Sequence, residues 1–312
     1  MVESKQQWKA WLYLAPTIVL LLIFTVWPII NTLRMAFLEG YTMSKAVNPY
    51  IDYEFQFGLG NFIRVIEYPG FMTCLKNTIL LCVLTVPIST FLALLIAVAL
   101  NSIKPLQRLF QTIFFLPYVT NSIAIGMVFA AMFNMILGGS ARPDSVGIIN
   151  TVLEAFGFKY INWMNAGSDY WANMVVMVVY IVWNALPFKI LILLGGLQSV
   201  NKQYYEAARV DGTPRWRVFT RITIPLLSPM LAYVIITGFI GGFKEYSSIV
   251  GIFGESMGPV GNDYALDTMV GFIYRAIGNQ EGTASAAALI LFGIIFAVTM
   301  VNLYVSKKKT HY

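Results

Sequence analysis

Residues 199–225 read SVNKQYYEAARVDGTPRWRVFTRITIP, a polar and basic stretch set between two long apolar ones. Its reading decides how the rest of the chain is understood. Asn201 offers a side-chain oxygen to cap a short helix from about Lys202 to Asp211. Gly212 supplies the left-handed residue that ends such helices. Thr213 can cap a second short helix, with Pro214 at its first position, where a missing N–H costs nothing. Neither helix reaches the roughly 20 residues needed to cross a bilayer. The stretch therefore predicts a helix-turn-helix lying at a membrane face. Ala207 and Ala208 are small enough for a partner to approach closely, and Glu206 and Arg209 are spaced to share a face. Arg215, Trp216, Arg217 and Phe219 suit the lipid interface. On the residues alone, the stretch is equally an amphipathic linker resting on the membrane.

The sequence on either side says why a membrane is involved. Of 312 residues, 58% are apolar and only 12% charged, against about a quarter charged in soluble domains. Six apolar stretches are long enough to span: about 11–33, 79–100, 112–137, 174–197, 224–243 and 284–305. The fold class expected is all-α, a polytopic membrane protein with six transmembrane helices. Lys5 and Lys9 precede the first stretch, as in a signal peptide. Its apolar run is too long for a cleaved segment and no small-x-small site follows, so it reads as an uncleaved anchor. Prolines 28, 87, 117 and 187 predict kinked spans.

Charge orients the spans. The termini and the loops after the second and fourth spans carry twelve Lys or Arg (Lys5, Lys9, Lys104, Arg108, Lys202, Arg209, Arg215, Arg217, Arg221, Lys307, Lys308, Lys309) against three acids. The opposite loops hold eight (Arg34, Lys45, Arg64, Lys76, Arg142, Lys159, Lys244, Arg275) against twelve acids. The positive-inside rule places both termini in the cytoplasm of a multi-pass cell-membrane protein. The outer loops contain Gly, Asn and aromatic residues, as in Phe57-Gly58-Leu59-Gly60-Asn61-Phe62, and read as a docking surface or as simple connections.

Several chemistries are excluded. Cys74 and Cys82 lie in or beside one apolar run and read as small apolar residues rather than metal ligands. The single histidine, His311, is next to the C-terminus. No Gly-Lys pair occurs, so the chain lacks a phosphate-binding P-loop. The net charge of +6 belongs to membrane topology, and nucleic acid is not an expected partner. The spans hold almost no ionisable groups of the kind that bind coupling ions, and no repeat links the two halves. An external energy source is expected, and the chain by itself is not an enzyme. Lys189, inside the fourth span, is expected to snorkel or to pair rather than to bind solute, though a basic residue there could favour an acidic sugar.

The 199–225 stretch resembles the EAA loop of binding-protein-dependent ABC permeases. That pattern is Glu-Ala-Ala, three residues, Gly, nine residues, Ile, one residue, Leu-Pro. Here it reads Glu206-Ala207-Ala208, Gly212, Ile222 and Ile224-Pro225, with Ile224 for Leu as the single departure. The wider chain is similar to the carbohydrate-uptake branch, the MalF/UgpA-like sugar permeases. The matching features are Leu14-Ala15-Pro16, Gly58-Leu59-Gly60-Asn61-Phe62, Asn77-Thr78, Phe115-Leu116-Pro117 and Gly196-Leu197-Gln198. The extra N-terminal spans and large outer domain of the MalF subtype are not expected from this sequence.

The resemblance implies one transmembrane permease domain over residues 1–312 with the type I ABC importer permease fold. It implies a second, MalG/UgpE-like permease, two copies of an ABC ATPase that binds ATP and Mg, and an extracytoplasmic solute-binding protein. The solute implied is a sugar or oligosaccharide. An acidic sugar, a phosphorylated polyol or another polar solute is the alternative, and an ion-coupled carrier is the alternative of another class. Glu206, Ala207, Ala208, Arg209, Asp211 and Gly212 would couple to the ATPase. Asn121, Trp183, Asn184, Phe188, Lys244, Glu245 and Tyr246 are the solute-path candidates, since hydroxyls want polar partners and sugar C–H faces want aromatic rings. Asn184 serves equally well as a bond to a neighbouring helix.

Overall fold

A computed structural model describes residues 7–47, 54–103, 107–136 and 145–309. The expected end of the third span at Leu137 lies outside them, as do Glu3, Lys5, Lys104, Arg142 and His311. The chain begins with α1 (Gln7–Leu21), a π-helical turn (Leu22–Val26), α2 (Trp27–Phe37), α3 (Met43–Ala46) and α4 (Gly60–Glu67). Next come α5 (Phe71–Ser102), α6 (Gln107–Val119), α7 (Ser122–Phe133), β1 (Met135–Ile136), β2 (Ser145–Val146) and α8 (Ile148–Ala155). Then follow α9 (Tyr170–Ser199), α10 (Gln203–Val210), α11 (Arg215–Val218), a π turn (Phe219–Thr223) and α12 (Ile224–Leu226). The chain continues through α13 (Ser228–Gly242), α14 (Ser247–Phe253), α15 (Met269–Ala276) and α16 (Glu281–Lys309).

Among the described residues, four continuous helical segments are long and apolar enough to cross a membrane: Trp8–Phe37, Phe71–Ser102, Tyr170–Ser199 and Glu281–Lys308. At 1.5 Å per residue, α5 is about 48 Å long, more than the hydrocarbon thickness. Two of the six expected spans are not single helices. The fifth is a bent pair, Arg215–Leu226 and Ser228–Gly242, meeting at 68°. The third is divided into α6 and α7, because Asn121 leaves the helical conformation and starts a new helix. Its side chain accepts hydrogen bonds from the Ile123 and Ala124 N–H groups. Hydropathy runs unbroken across that point, so the sequence pattern misses the break. Among the described residues, the all-α expectation is modified only by the two-residue antiparallel pair β1–β2 and a bridge between Leu38 and Phe57.

The chain divides into two compact units. One comprises residues up to Phe71 with Phe272–Phe292, the other Met72–Gly271 with residues from Gly293 onward. Within the first, Asn61 is the organising residue. Its amide donates to the carbonyls of Met35, Ala36 and Leu38, and its oxygen accepts from the Gly40 N–H. A side chain at Gly58 or Gly60 would strike the Glu39 carboxylate, which accepts from the Gly60 N–H at 2.9 Å. The Gly58-Leu59-Gly60-Asn61 run is thus a device for closing the end of α2, whatever else its loop does.

The second unit packs on α9. Its first half, with Met174, Met177 and Tyr180, joins Leu81 and Ile249 in one core cluster. Its second half, with Ile190, Leu193 and Leu194, joins Ala93, Leu227 and Val234 in another. Asn77 ties the start of α5 to the 265–267 backbone and accepts the Tyr170 hydroxyl at 2.7 Å. Helices α7 and α14 cross almost backbone to backbone, since a Cβ on Gly126 would lie 2.8 Å from Gly251. Both cysteines are buried. Cys74 Sγ donates to Asp267 at 3.2 Å and Cys82 Sγ contacts the Phe239 carbonyl at 3.6 Å.

Candidate functional site

Two features of the second unit collect most of the expected site residues. The first is the hairpin between α9 and α13. Asn201 accepts the Gln203 N–H at 3.0 Å, and α10 runs from Gln203 to Val210, one residue inside each expected end. Gly212 has φ +63°, its N–H bonds the Arg209 carbonyl, and the Thr213 N–H bonds the Ala208 carbonyl at 2.9 Å. That 6→1 and 5→2 pair is the Schellman closure. A Cβ on Gly212 would meet nothing within 4 Å, so a side chain is opposed there by backbone conformation alone. Thr213 makes no capping bond. Pro214 itself stands at the N-cap of α11, one place earlier than expected, with its carbonyl accepting from Arg217 and Val218.

Exposure divides the motif. Ala208 is buried, while Glu206, Ala207, Arg209, Asp211 and Gly212 face outward. Val210 is 88% exposed, an apolar tip that sequence reasoning passed over. Glu206 in the first turn and Arg209 in the last both complement the helix dipole. Beyond the hairpin, Tyr205 reaches Thr223 at 3.4 Å, and Trp216 packs on Phe219 with ring centroids 5.7 Å apart.

The second feature is a chamber of about 280 Å3, just below the range of roughly 300–1,000 Å3 usual for ligand pockets. Among the solute-path candidates, Asn184, Phe188 and Glu245 line it. Asn121, Trp183, Lys244 and Tyr246 do not. Asn121 is a helix cap, Trp183 packs on Phe129 at 5.1 Å, Lys244 is exposed and Tyr246 packs against the first core cluster. The residues that sequence reasoning missed are Tyr118, stacked on Phe188 at 5.8 Å, and the hydroxyls of Thr85, Ser89 and Thr237. A Ser/Thr run flanking a span proline, Thr85-Val86-Pro87-Ile88-Ser89-Thr90, was the available signal.

Glycines let α13 form the chamber wall. A Cβ on Gly238 would lie 3.1 Å from Val86 and 3.2 Å from Lys189 Nζ, and one on Gly242 2.9 Å from Cys82 Sγ. Glu245, just past α13, accepts the Ser248 N–H at 3.1 Å. Among the described residues, Lys189 has no acidic partner, and it is buried instead of reaching the interface. It is 4% exposed, and Nζ donates to Ser89 Oγ at 2.7 Å, Thr90 Oγ1 at 2.9 Å and the Val86 carbonyl at 3.3 Å. The straight reach of a lysine toward the interface loses here to three acceptors presented by one turn of α5.

A larger open groove of about 870 Å3 is lined by parts of α7, α14 and residues 254–260, and among the described residues its lining includes no charged side chain and none of the expected site residues. Next to it, Gly254-Glu255-Ser256-Met257-Gly258 has the spacing of a hydrolase nucleophile elbow, which sequence reasoning overlooked. An elbow needs a strand before and a helix after. This one follows α14 in a turn, and the Ser256 hydroxyl bonds the Phe253 and Gly258 carbonyls.

Long apolar helices, a polar and aromatic chamber within them and a rigid exposed hairpin define a membrane permease. Residues 77–311 match the family described as binding-protein-dependent transport system inner membrane component, and the chain belongs to that family. It is 29% identical to the lactose transport system permease protein LacF of Rhizobium radiobacter, over 94% of this chain and 91% of the relative. It is 31% identical to the arabinooligosaccharides transport system permease protein AraP of Halalkalibacterium halodurans, over 97% and 89%. A crystal structure of a bacterial alginate ABC transporter, in complex with an alginate pentasaccharide-bound periplasmic protein, contains a chain of the same fold. The TM-score is 0.73 at 23% identity, covering 99% of this chain and 98% of that one.

Proposed function

We infer that this chain is a translocation-path subunit of an ATP-driven importer for a sugar or oligosaccharide. One observation carries the reading: α13 joins the two features. Its Thr237, Gly238 and Gly241 line the chamber, and its start is bent 68° from the segment that leads back to the exposed hairpin. A push on α10 is delivered through Gly212 and the bend to the wall that touches solute. The relatives named for lactose and arabinooligosaccharide transport support the solute class.

In this reading a second permease completes the path, two ATPase copies bind ATP and Mg below it, and an extracytoplasmic binding protein delivers the sugar. Both termini and the hairpin face the cytoplasm, where ATP hydrolysis belongs to the partner. Glu206 makes a charge-assisted contact with that ATPase. Tyr118 and Phe188 offer ring faces to sugar C–H groups, while Asn184, Glu245 and Thr237 offer hydrogen-bond partners for hydroxyls.

The test is uptake in vesicles that contain the complete importer. ATP-dependent entry of radiolabelled lactose or arabinooligosaccharide, lost in Glu206→Lys without loss of the protein from the membrane, is the expected result. Normal uptake by Glu206→Lys would remove the lever, and entry driven by an ion gradient without ATPase subunits would replace the importer with a carrier.

A further inference from the structure

The chamber holds a cation that the reading above does not use. Lys189 is buried within a membrane-spanning helix, where a charge is expensive and marks a functional position by default. Its hydrogen-bond partners suit an ammonium. The Ser89 hydroxyl is within donating distance of the Thr85 and Val86 carbonyls, and Thr90 Oγ1 donates to the Val86 carbonyl at 2.7 Å. Both hydroxyl protons are thereby committed, so Ser89 and Thr90 present lone pairs to Nζ. With the Val86 carbonyl, three acceptors surround the nitrogen. An ammonium has three protons and no lone pair, and it satisfies all three. A neutral amine would set its own lone pair against one of them.

None of these partners carries a charge, so the cradle holds the ammonium without neutralising it. Glu245 lines the same chamber, but it is half-buried and its carboxylate already accepts the Ser248 N–H. The two charges therefore act on opposite terms. The cation is buried and held by hydrogen bonds, and the carboxylate is half-buried and engaged elsewhere. A buried charge is screened far less than an exposed one.

We propose that Lys189 sets the charge selectivity of this chamber, drawing the anionic group of an acidic sugar toward the α5 wall. The inference rests on the sugar-permease reading and names its solute class. The proton count leaves no N–H on Nζ for the solute, so the ammonium acts through its field across the chamber wall. The nearby Thr237 hydroxyl and the Tyr118–Phe188 rings hold the rest of the sugar.

The experiment uses the complete importer in proteoliposomes. Uptake of a uronate-bearing disaccharide is measured against that of its neutral counterpart. The binding protein's own preference is the same in every sample and cancels between variants. Lys189→Met is expected to lower the uronate-to-neutral ratio about tenfold, and Lys189→Arg to hold it within about twofold. Thr237→Asp puts a carboxylate on the facing helix with the cradle intact, and is expected to lower the ratio similarly even if Lys189→Met fails to assemble.

An unchanged ratio in Lys189→Met with uptake intact makes Lys189 a strut and overturns the proposal. So does an unchanged ratio in Thr237→Asp. A wild-type importer that moves neither sugar overturns the sugar reading and this inference with it, whereas wild-type uptake with an immovable ratio removes the charge assignment alone.

Discussion

The hairpin at residues 203–226 and the chamber beside Lys189 are built by opposite means. Backbone bonds close the hairpin, through the Gly212 and Thr213 N–H groups, and nearly all its motif side chains face outward. Side chains build the chamber, around a buried ammonium whose partners lie 99 to 103 residues away in sequence. A surface meant for a partner needs a stiff backbone and free side chains. A site meant for a solute inside a membrane needs every polar group accounted for before the solute arrives. Mutations should therefore separate the two regions: chamber changes read out in stability, and hairpin changes in coupling.

The largest stability effect is expected from stripping the cradle. Ser89→Ala with Thr90→Val leaves the Lys189 ammonium buried with one acceptor, and should cost about 3–5 kcal/mol in detergent unfolding. Adding Lys189→Met to that pair should recover much of the loss, giving a coupling that a double-mutant cycle can measure. Simple additivity would break the comparison, because Lys189 would then be no better held than any surface lysine.

Gly212→Val should do the reverse. A branched residue forced to φ +63° costs about 1–2 kcal/mol locally, so the unfolding midpoint should fall by only a few degrees while ATP-dependent uptake falls at least tenfold. Gly212→Asn should retain most uptake, since asparagine tolerates that conformation. Equal losses from Val and Asn would point to a contact at Gly212 in place of a turn.

Val210→Asp sharpens the partner surface. Placing a charge on the exposed apolar tip should weaken co-purification of the ATPase about tenfold at unchanged stability. Lys244→Ala should do least, within about 0.5 kcal/mol and with normal uptake, because Lys244 is exposed and off the chamber.

How much of this was legible depended on distance along the chain. The hairpin's turn is local chemistry, so Gly212 was readable, while Asn201 and Pro214 were each misplaced by a single residue, since Lys202 stands at the N-cap of α10 and Pro214 at that of α11. Asn121 was readable in principle, as a capping residue before an apolar run, but unbroken hydropathy disguised it as a polar group within a continuous helix. Lys189 was not readable from its own span. An isolated helix offers a lysine only the interface or an acid, and the hydroxyls that hold it belong to α5. The same limit separated Asn184, Phe188 and Glu245, which share the chamber, from Trp183 and Tyr246, which are their sequence neighbours but spend their rings on packing. Asn61 taught the converse, since a glycine-rich motif in an outer loop turned out to close a helix end.

The two buried cysteines carry a practical consequence. The chain has only Cys74 and Cys82, and both sulfurs lie inside the packed helices. The native protein is therefore already a quiet background for thiol chemistry. A cysteine placed at Val210 would be the one thiol open to a maleimide probe, and a labelling rate that changes with ATP would be the direct sign of the proposed engagement of the hairpin by a partner.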